Sequence, residues 1–115
     1  MANENCLFCR MVSGEIAVEK VAENQQAFAI RDINPRAPVH LLVIPKRHVD
    51  DARLLEWGDK DLLAGVFALA TDVATAEGLK EAGYRLAFNV GEAAGMTISH
   101  LHLHLVGGRK LGPEG

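Results

Sequence analysis

The chain has 115 residues, enough for one compact domain and too few for two ordinary ones. With 49% hydrophobic residues, 23% charged residues and a net charge of −3, its balance is that of an average globular protein, which argues against disorder. It also argues against a dedicated nucleic-acid surface, which needs a strongly basic field.

Residues 1–5 carry one acid and two amides where a basic start would precede an apolar run, so no signal peptide is expected. The most apolar stretch, 62–76, contains Thr71, Asp72 and Thr75 and is too short and polar to span a bilayer. The expectation is a cytoplasmic domain with no membrane partner. Residues 18–23 and 27–31 read as short strands in a hairpin around Asn24. In Asn34-Pro35-Arg36-Ala37-Pro38 both prolines fix φ and bias the preceding residue away from helix, which makes a rigid loop. The near-continuous apolar run 39–44, ended by Pro45, reads as a buried strand.

Over 59–78 the period changes. Leu62, Val66, Leu69 and Val73 form one stripe with Leu63, Phe67, Ala70 and Ala74 beside it, which predicts an amphipathic helix. Asp59 is the expected N-cap, Asp61 suits the positive end of the helix dipole, and Gly78 is the expected stop. Residues 84–90 and 100–106 read as strands. The loop between them holds Gly91, Ala93, Ala94 and Gly95 but lacks the Lys-Ser/Thr ending of a phosphate-binding P-loop. These elements predict a single α+β domain over 1–115 with a mostly antiparallel sheet and a loose tail at 112–115.

The segment His100-Leu101-His102-Leu103-His104-Leu105 holds three of the five histidines. A strand alternates its side chains, so the histidines share one face while the leucines can pack on the helix. Neighbouring histidines are then roughly 6.5–7 Å apart at Cα, which lets one ion bridge two of them but hardly all three. A solvated polar face explains strict alternation with leucine poorly. Imidazole suits both zinc ligation and nucleophilic or acid–base chemistry near neutral pH. Cys6 and Cys9, the only two cysteines, have a spacing that in a reducing compartment points to a metal or a redox pair.

The His-x-His-x-His run followed by apolar residues, together with the stretch 32–48 around Asn34-Pro35-Arg36 and His40, resembles the histidine triad (HIT) superfamily from about Cys6 to Arg109. Asn89, Gly95-Met96-Thr97 and Gly107-Gly108-Arg109 resemble its Hint-like branch, the nucleoside phosphoramidases. The resemblance implies a HIT-like fold: a five-stranded mostly antiparallel sheet with one long and one short helix. It also implies a homodimer that continues the sheet across a two-fold axis, paired through the long helix and a strand. The apolar breadth of 62–74 agrees with such an interface.

By the same resemblance the chain is a hydrolase of purine nucleoside 5′-phosphoramidates and aminoacyl-adenylates. His102 is the implied nucleophile, forming a nucleotidyl-histidine that water resolves to AMP or GMP. Its other ring nitrogen needs an acceptor to hold the reactive tautomer, and a backbone carbonyl would serve. His104 is the implied phosphate contact, His40 the fourth histidine of the site, Thr97 the hydroxyl near the leaving group and Asn89 a phosphate-contacting amide. Asp32 resembles the carboxylate on the ribose; alone it would read as a turn former. Leu7, Phe8, Met11, Ile30 and Ile33 resemble the apolar clamp around the purine; alone they would read as core.

Cys6, Cys9, His48 and His100 match positions that hold a structural zinc in some bacterial members, which leaves His102 free and no cofactor in the chemical step. Met96 stands where glutamine is common, and 111–115 lacks the tryptophan that completes the partner subunit's site in well-known members. Two other readings remain open. One is Fhit-like cleavage of dinucleoside polyphosphates, a branch that usually has glutamine at the position of Asn89 and a proline-containing run where this chain has Gly107-Gly108. The other is a zinc-containing nucleotide-binding scaffold with incidental catalysis.

Overall fold

In the computed structural model, which describes residues 5–114, the backbone alternation of each strand divides its side chains between two cores. The strands are β1 (Ala22–Glu23), β2 (Ala27–Arg31), β3 (Val39–Pro45), β4 (Tyr84–Phe88) and β5 (Leu103–Gly107). They form one sheet in the order β1-β2-β3-β5-β4, and every pair is antiparallel. The α-helices are α1 (Leu7–Val12) and α2 (Lys60–Ala76), so this is an open antiparallel sheet with one long and one short helix. Residues 1–4 and Gly115, at the ends of the expected domain and tail, lie outside the described residues.

Ala27 and Ala29 of β2, Leu41 and Val43 of β3, and Leu103 and Leu105 of β5 point to one side. There they meet Leu62, Val66, Leu69 and Val73, the stripe read from the helical period. Phe28, Ile30, Leu42 and Ile44 point to the other side and pack with Cys6, Phe8 and Cys9 of the α1 region. Both sides of β3 are therefore largely apolar, which is why its sequence is hydrophobic apart from His40. Leu103 and Leu105 are fully buried, and cutting either to alanine costs about 2–5 kcal/mol.

Helix α2 stops as its sequence predicts. Gly78 takes φ +79°, and the amides of Gly78 and Leu79 bond back to the carbonyls of Thr75 and Ala74, a Schellman closure. The hairpin at Asn24 also forms, with Asn24 Oδ1 accepting from the amides of Gln26 and Ala27 at 2.9 Å. Asn24 Nδ2 donates to the Gly65 carbonyl at 2.9 Å and ties this turn to α2. The approach is so close that a Cβ on Gly65 would lie 2.5 Å from Gln26 Cβ.

Four local expectations need correction. The first strand covers only Ala22–Glu23, and β4 ends at Phe88, short of Val90. Asp59 sits at the N-cap of α2 without capping it, because its carboxylate accepts from the Glu56 amide at 3.0 Å and pairs with Arg47. The last strand starts at Leu103, not at His100. Upstream of it the backbone has other partners: the His100 amide bonds to Ile98 O at 2.9 Å and the Leu101 amide to Val49 O at 2.7 Å. No helix among the described residues is long and apolar enough to cross a membrane.

Candidate active site and adjoining metal cluster

The sheet face away from α2 carries His40 and Leu42 on β3, His104 on β5 and Ala87 on β4, placed side by side by the register Leu42–His104–Ala87. Above it lies an open pocket of about 350 Å³, within the size range of small-molecule sites. Leu7, Phe8, Met11, Ile30 and Ile33 form its apolar wall, and Asp32, Asn89, Thr97, His102 and His104 bring polar groups to it. The structure thus gathers these sequence-selected residues around one cavity. Ile33 is 92% exposed at its rim, and Phe8 is buried beneath it. Leu42, Arg36 and Ile98 also line the pocket and were not singled out from sequence. Leu42 could have been found by alternation from His40.

Hydrogen bonds settle the histidine tautomers. His102 Nδ1 lies 2.7 Å from the His100 carbonyl, which can only accept, so the proton of the neutral ring is on Nδ1. Nε2 of His102 keeps its lone pair, and the expected backbone acceptor is His100 O. Phe8 stacks edge-on to His102 with ring centroids 5.3 Å apart and restrains its rotation.

A second chain starts at the backbone of the Pro-rich loop. The Arg36 amide donates to His40 Nδ1 at 3.1 Å, so the His40 proton is on Nε2. His40 Nε2 donates to His104 Nδ1 at 3.0 Å, which puts the His104 proton on Nε2. Asp32 Oδ2 lies 3.4 Å from His40 Nε2, while Asp32 Oδ1 accepts from the Asn34 amide at 2.8 Å. Asp32 is therefore a turn former whose second oxygen faces His40. His40 lies outside the pocket lining and reaches it through His104.

Burial pushes the His104 imidazole down to about 4, helped by the neighbouring His102 and His40 rings, and burial likewise lowers His40. Both are neutral at pH 7, so His104 presents an N–H without carrying a charge. Asn89 Nδ2 lies 3.3 Å from His104 Nε2. Two N–H donors side by side have nothing to give each other, and one anionic oxygen satisfies both.

Behind Phe8, Cys6 Sγ lies 3.2 Å from His100 Nδ1, Cys9 Sγ lies 3.2 Å from His48 Nδ1, and the two Nδ1 atoms are 3.1 Å apart. Cys9 Sγ is 3.5 Å from His100 Nδ1. A tetrahedral zinc ion, with about 2.3 Å to sulfur and about 2.0–2.1 Å to nitrogen, sets edges of about 3.6 Å between S and N and about 3.4 Å between nitrogens. The donor set fits that ion. The outer ring nitrogens strengthen the fit: His100 Nε2 donates to Pro45 O at 2.8 Å and His48 Nε2 to Asp50 at 2.6 Å. Both Nδ1 lone pairs are thereby aimed at one point, the outer-shell arrangement of ligating histidines. Asp50 and the Pro45 carbonyl were not anticipated from sequence. Asp50, two residues after His48, carried a usable signal; a carbonyl carries none.

The sheet order, the long helix behind it and a histidine-lined pocket on the opposite face define a class of small α+β proteins with a site of small-molecule size. The HIT domain matches residues 13–111, and the chain belongs to that family. It is similar to a HIT family hydrolase from Legionella pneumophila, at 47% identity over 96% of this chain and all of that one, with a TM-score of 0.93. A Zn-bound histidine triad family protein from Mycobacterium smegmatis is 34% identical over 96% of this chain and 80% of its own, with a TM-score of 0.79. A histidine triad nucleotide-binding protein from Candida albicans is 29% identical over 88% of this chain and 73% of its own, with a TM-score of 0.79.

Proposed function

We propose that the chain is a nucleotide hydrolase that cleaves the P–N bond of purine nucleoside 5′-phosphoramidates, and the mixed anhydride of aminoacyl-adenylates, through a nucleotidyl-His102 intermediate. The observation that carries this reading is the pair of complementary tautomers: a lone pair on His102 Nε2 beside an uncharged N–H donor on His104, whose neighbour Asn89 supplies a second donor. The names of the similar proteins, a hydrolase and a nucleotide-binding protein, support the same class.

In this reading the purine rests among Leu7, Phe8, Met11, Ile30 and Ile33, and Oδ2 of Asp32 accepts from the ribose. Phosphoryl oxygens lie on His104 and Asn89. Nε2 of His102 attacks the α-phosphorus, the P–N bond breaks, and the amine leaves with that electron pair and the Thr97 hydroxyl proton, which a water replaces. The hydroxide so formed then adds to phosphorus, the electron pair of the His102–phosphorus bond returns to Nε2, and AMP or GMP is released. Splitting one displacement in two suits a neutral imidazole nucleophile that is itself a good leaving group.

A zinc ion on Cys6, Cys9, His48 and His100 would tie α1 to the sheet without entering this chemistry, and the Zn-bound relative supports it. We take the compartment to be reducing and cytoplasmic, a reading that the two free thiols of the donor cluster support. Its partner is a second copy: β4 is an open sheet edge half-buried along its length, and Phe67 of α2 lies beside it with its ring 6.0 Å from Phe88.

The test mixes the purified protein with a fluorogenic adenosine 5′-phosphoramidate and follows amine release, with His102→Ala beside it. Turnover that vanishes in the variant is the expected result. Equal turnover by both proteins overturns the nucleophile assignment, and AMP binding without turnover favours a nucleotide-binding scaffold.

A further inference from the structure

The pocket that holds His102 is not the only concavity on this sheet face. Following the chain from His102 into β5 and past His104 leads to Val106, and over Val106 lies a second basin of about 320 Å³. It shares Arg36, Asn89 and His104 with the first pocket, so the two meet at the proposed phosphoryl position. Its floor is set by register: Arg85 of β4 and His40 of β3 both face Val106. Arg109, just beyond β5, closes the side.

Three arginines thus line a basin on a chain whose net charge is −3. Arg85 Nη2 donates to the Gly112 carbonyl at 2.7 Å, and Arg109 Nη2 donates to the Arg36 carbonyl at 2.9 Å. Carbonyl partners orient a guanidinium but leave its charge uncompensated, and each retains further N–H donors. The one acid lining the basin is Glu114, 84% exposed, whose carboxylate is 3.5 Å from Arg85. An exposed pair of that length is worth little, and it shows that a carboxylate reaches this arginine.

We propose that this basin is the leaving-group subsite and that it selects substrates whose departing group carries a negative charge close to the scissile bond. The inference rests on the nucleotidyl-transfer reading above, because it takes His104 and Asn89 as the phosphoryl contacts. An anion that leaves from there moves onto Arg85 and Arg109, so the attraction persists as the bond to phosphorus lengthens. A carboxylate on a departing amine and a phosphate on a departing nucleotide share this chemistry.

The test compares kcat/KM for the AMP phosphoramidate of glutamate with that of glutamic acid diamide, an uncharged analogue of similar size. Diadenosine triphosphate, whose departing group is ADP, forms the phosphate arm. The same glutamate and diamide compounds are also titrated by calorimetry onto His102→Ala, which reads the subsite even if turnover is absent. We expect the wild type to favour the glutamate compound by about tenfold. In the double variant R85Q/R109Q the ratio falls to about one, whereas Lys80→Gln, a cation outside the basin, keeps it. Rapid release of AMP from diadenosine triphosphate, lost in the double variant, would assign the basin to phosphate rather than carboxylate. A wild-type ratio near one in both kinetics and binding, or a ratio that survives R85Q/R109Q, overturns the proposal. Failure of all turnover with the binding preference intact overturns the hydrolase reading alone.

Discussion

Replacing Cys6 by serine separates two jobs of one side chain. Cys6 is the N-cap of α1, its sulfur accepting from the Cys9 amide at 3.4 Å, and it is also one corner of the four-residue donor cluster. Serine is a good N-cap, so the helix start survives the change, while a hydroxyl is a poor zinc ligand. Burial raises the Cys6 thiol, which makes it a neutral group in the absence of a cation and a thiolate with one. What Cys6→Ser loses is therefore the metal.

Zinc in hundredfold excess over its dissociation constant stabilises the fold by about 2.7 kcal/mol. For a domain of this length each kcal/mol moves Tm by about 3–5 °C, so the loss is about 8–13 °C. The assay is calorimetric unfolding of both proteins with and without a strong chelator, beside elemental analysis of zinc per chain. The wild type is expected to carry about one zinc and to fall by about 10 °C when stripped, while Cys6→Ser starts low and does not move. The reasoning is refuted if the wild type binds no zinc, or if chelation shifts both proteins equally. Stripping is also expected to slow turnover, because the His100 carbonyl that holds His102 belongs to a residue anchored through its own ring.

Three further outcomes follow from the site geometry. His104 titrates near 4 when folded and near 6.5 when unfolded, so the unfolded chain binds the extra proton between those values and stability rises with pH across that window. On the order of 3 kcal/mol is lost from pH 6.5 to pH 4 through this group, read by urea unfolding of wild type against His104→Gln; a variant with the same pH slope would contradict the assignment. Asp32→Asn keeps the turn acceptor at Oδ1 but loses the charge near the ribose position, so KM rises about tenfold with kcat little changed; steady-state kinetics shows the opposite split if Asp32 acts on the reaction itself. Phe67→Asp puts a charge beside the open β4 edge, and equilibrium sedimentation should show monomers of the variant and dimers of the wild type. A monomeric wild type would refute the dimer reading.

The elements most readable from sequence were those in which side-chain pattern alone decides the outcome. Helix α2 has an unbroken apolar stripe and a glycine that can take positive φ, and it runs Lys60–Ala76 as that pattern requires. The alternation of histidine with leucine placed His102 and His104 next to each other, with ring centroids 5.1 Å apart, although His100 and His102 lie outside the ladder. The ladder starts late because the His100 and Leu101 amides bond to Ile98 and Val49, partners that no local pattern brings near. Asp32 shows a different limit: the turn-forming reading describes Oδ1, while Oδ2 lies beside His40, a contact that no local pattern announces.

What sequence could not show is backbone chemistry, since every residue carries it. The Pro45 carbonyl aims His100, the His100 carbonyl aims His102, and the Arg36 amide aims His40 and through it His104. A donor at the start of one chain and an acceptor at the start of the other give the two pocket histidines opposite tautomers. Burial then keeps His104 neutral well below pH 7, so the arrangement does not depend on a protonated ring. The Pro-rich loop and the turn before β5 thereby set the polarity of the pocket, and the triad residues express it.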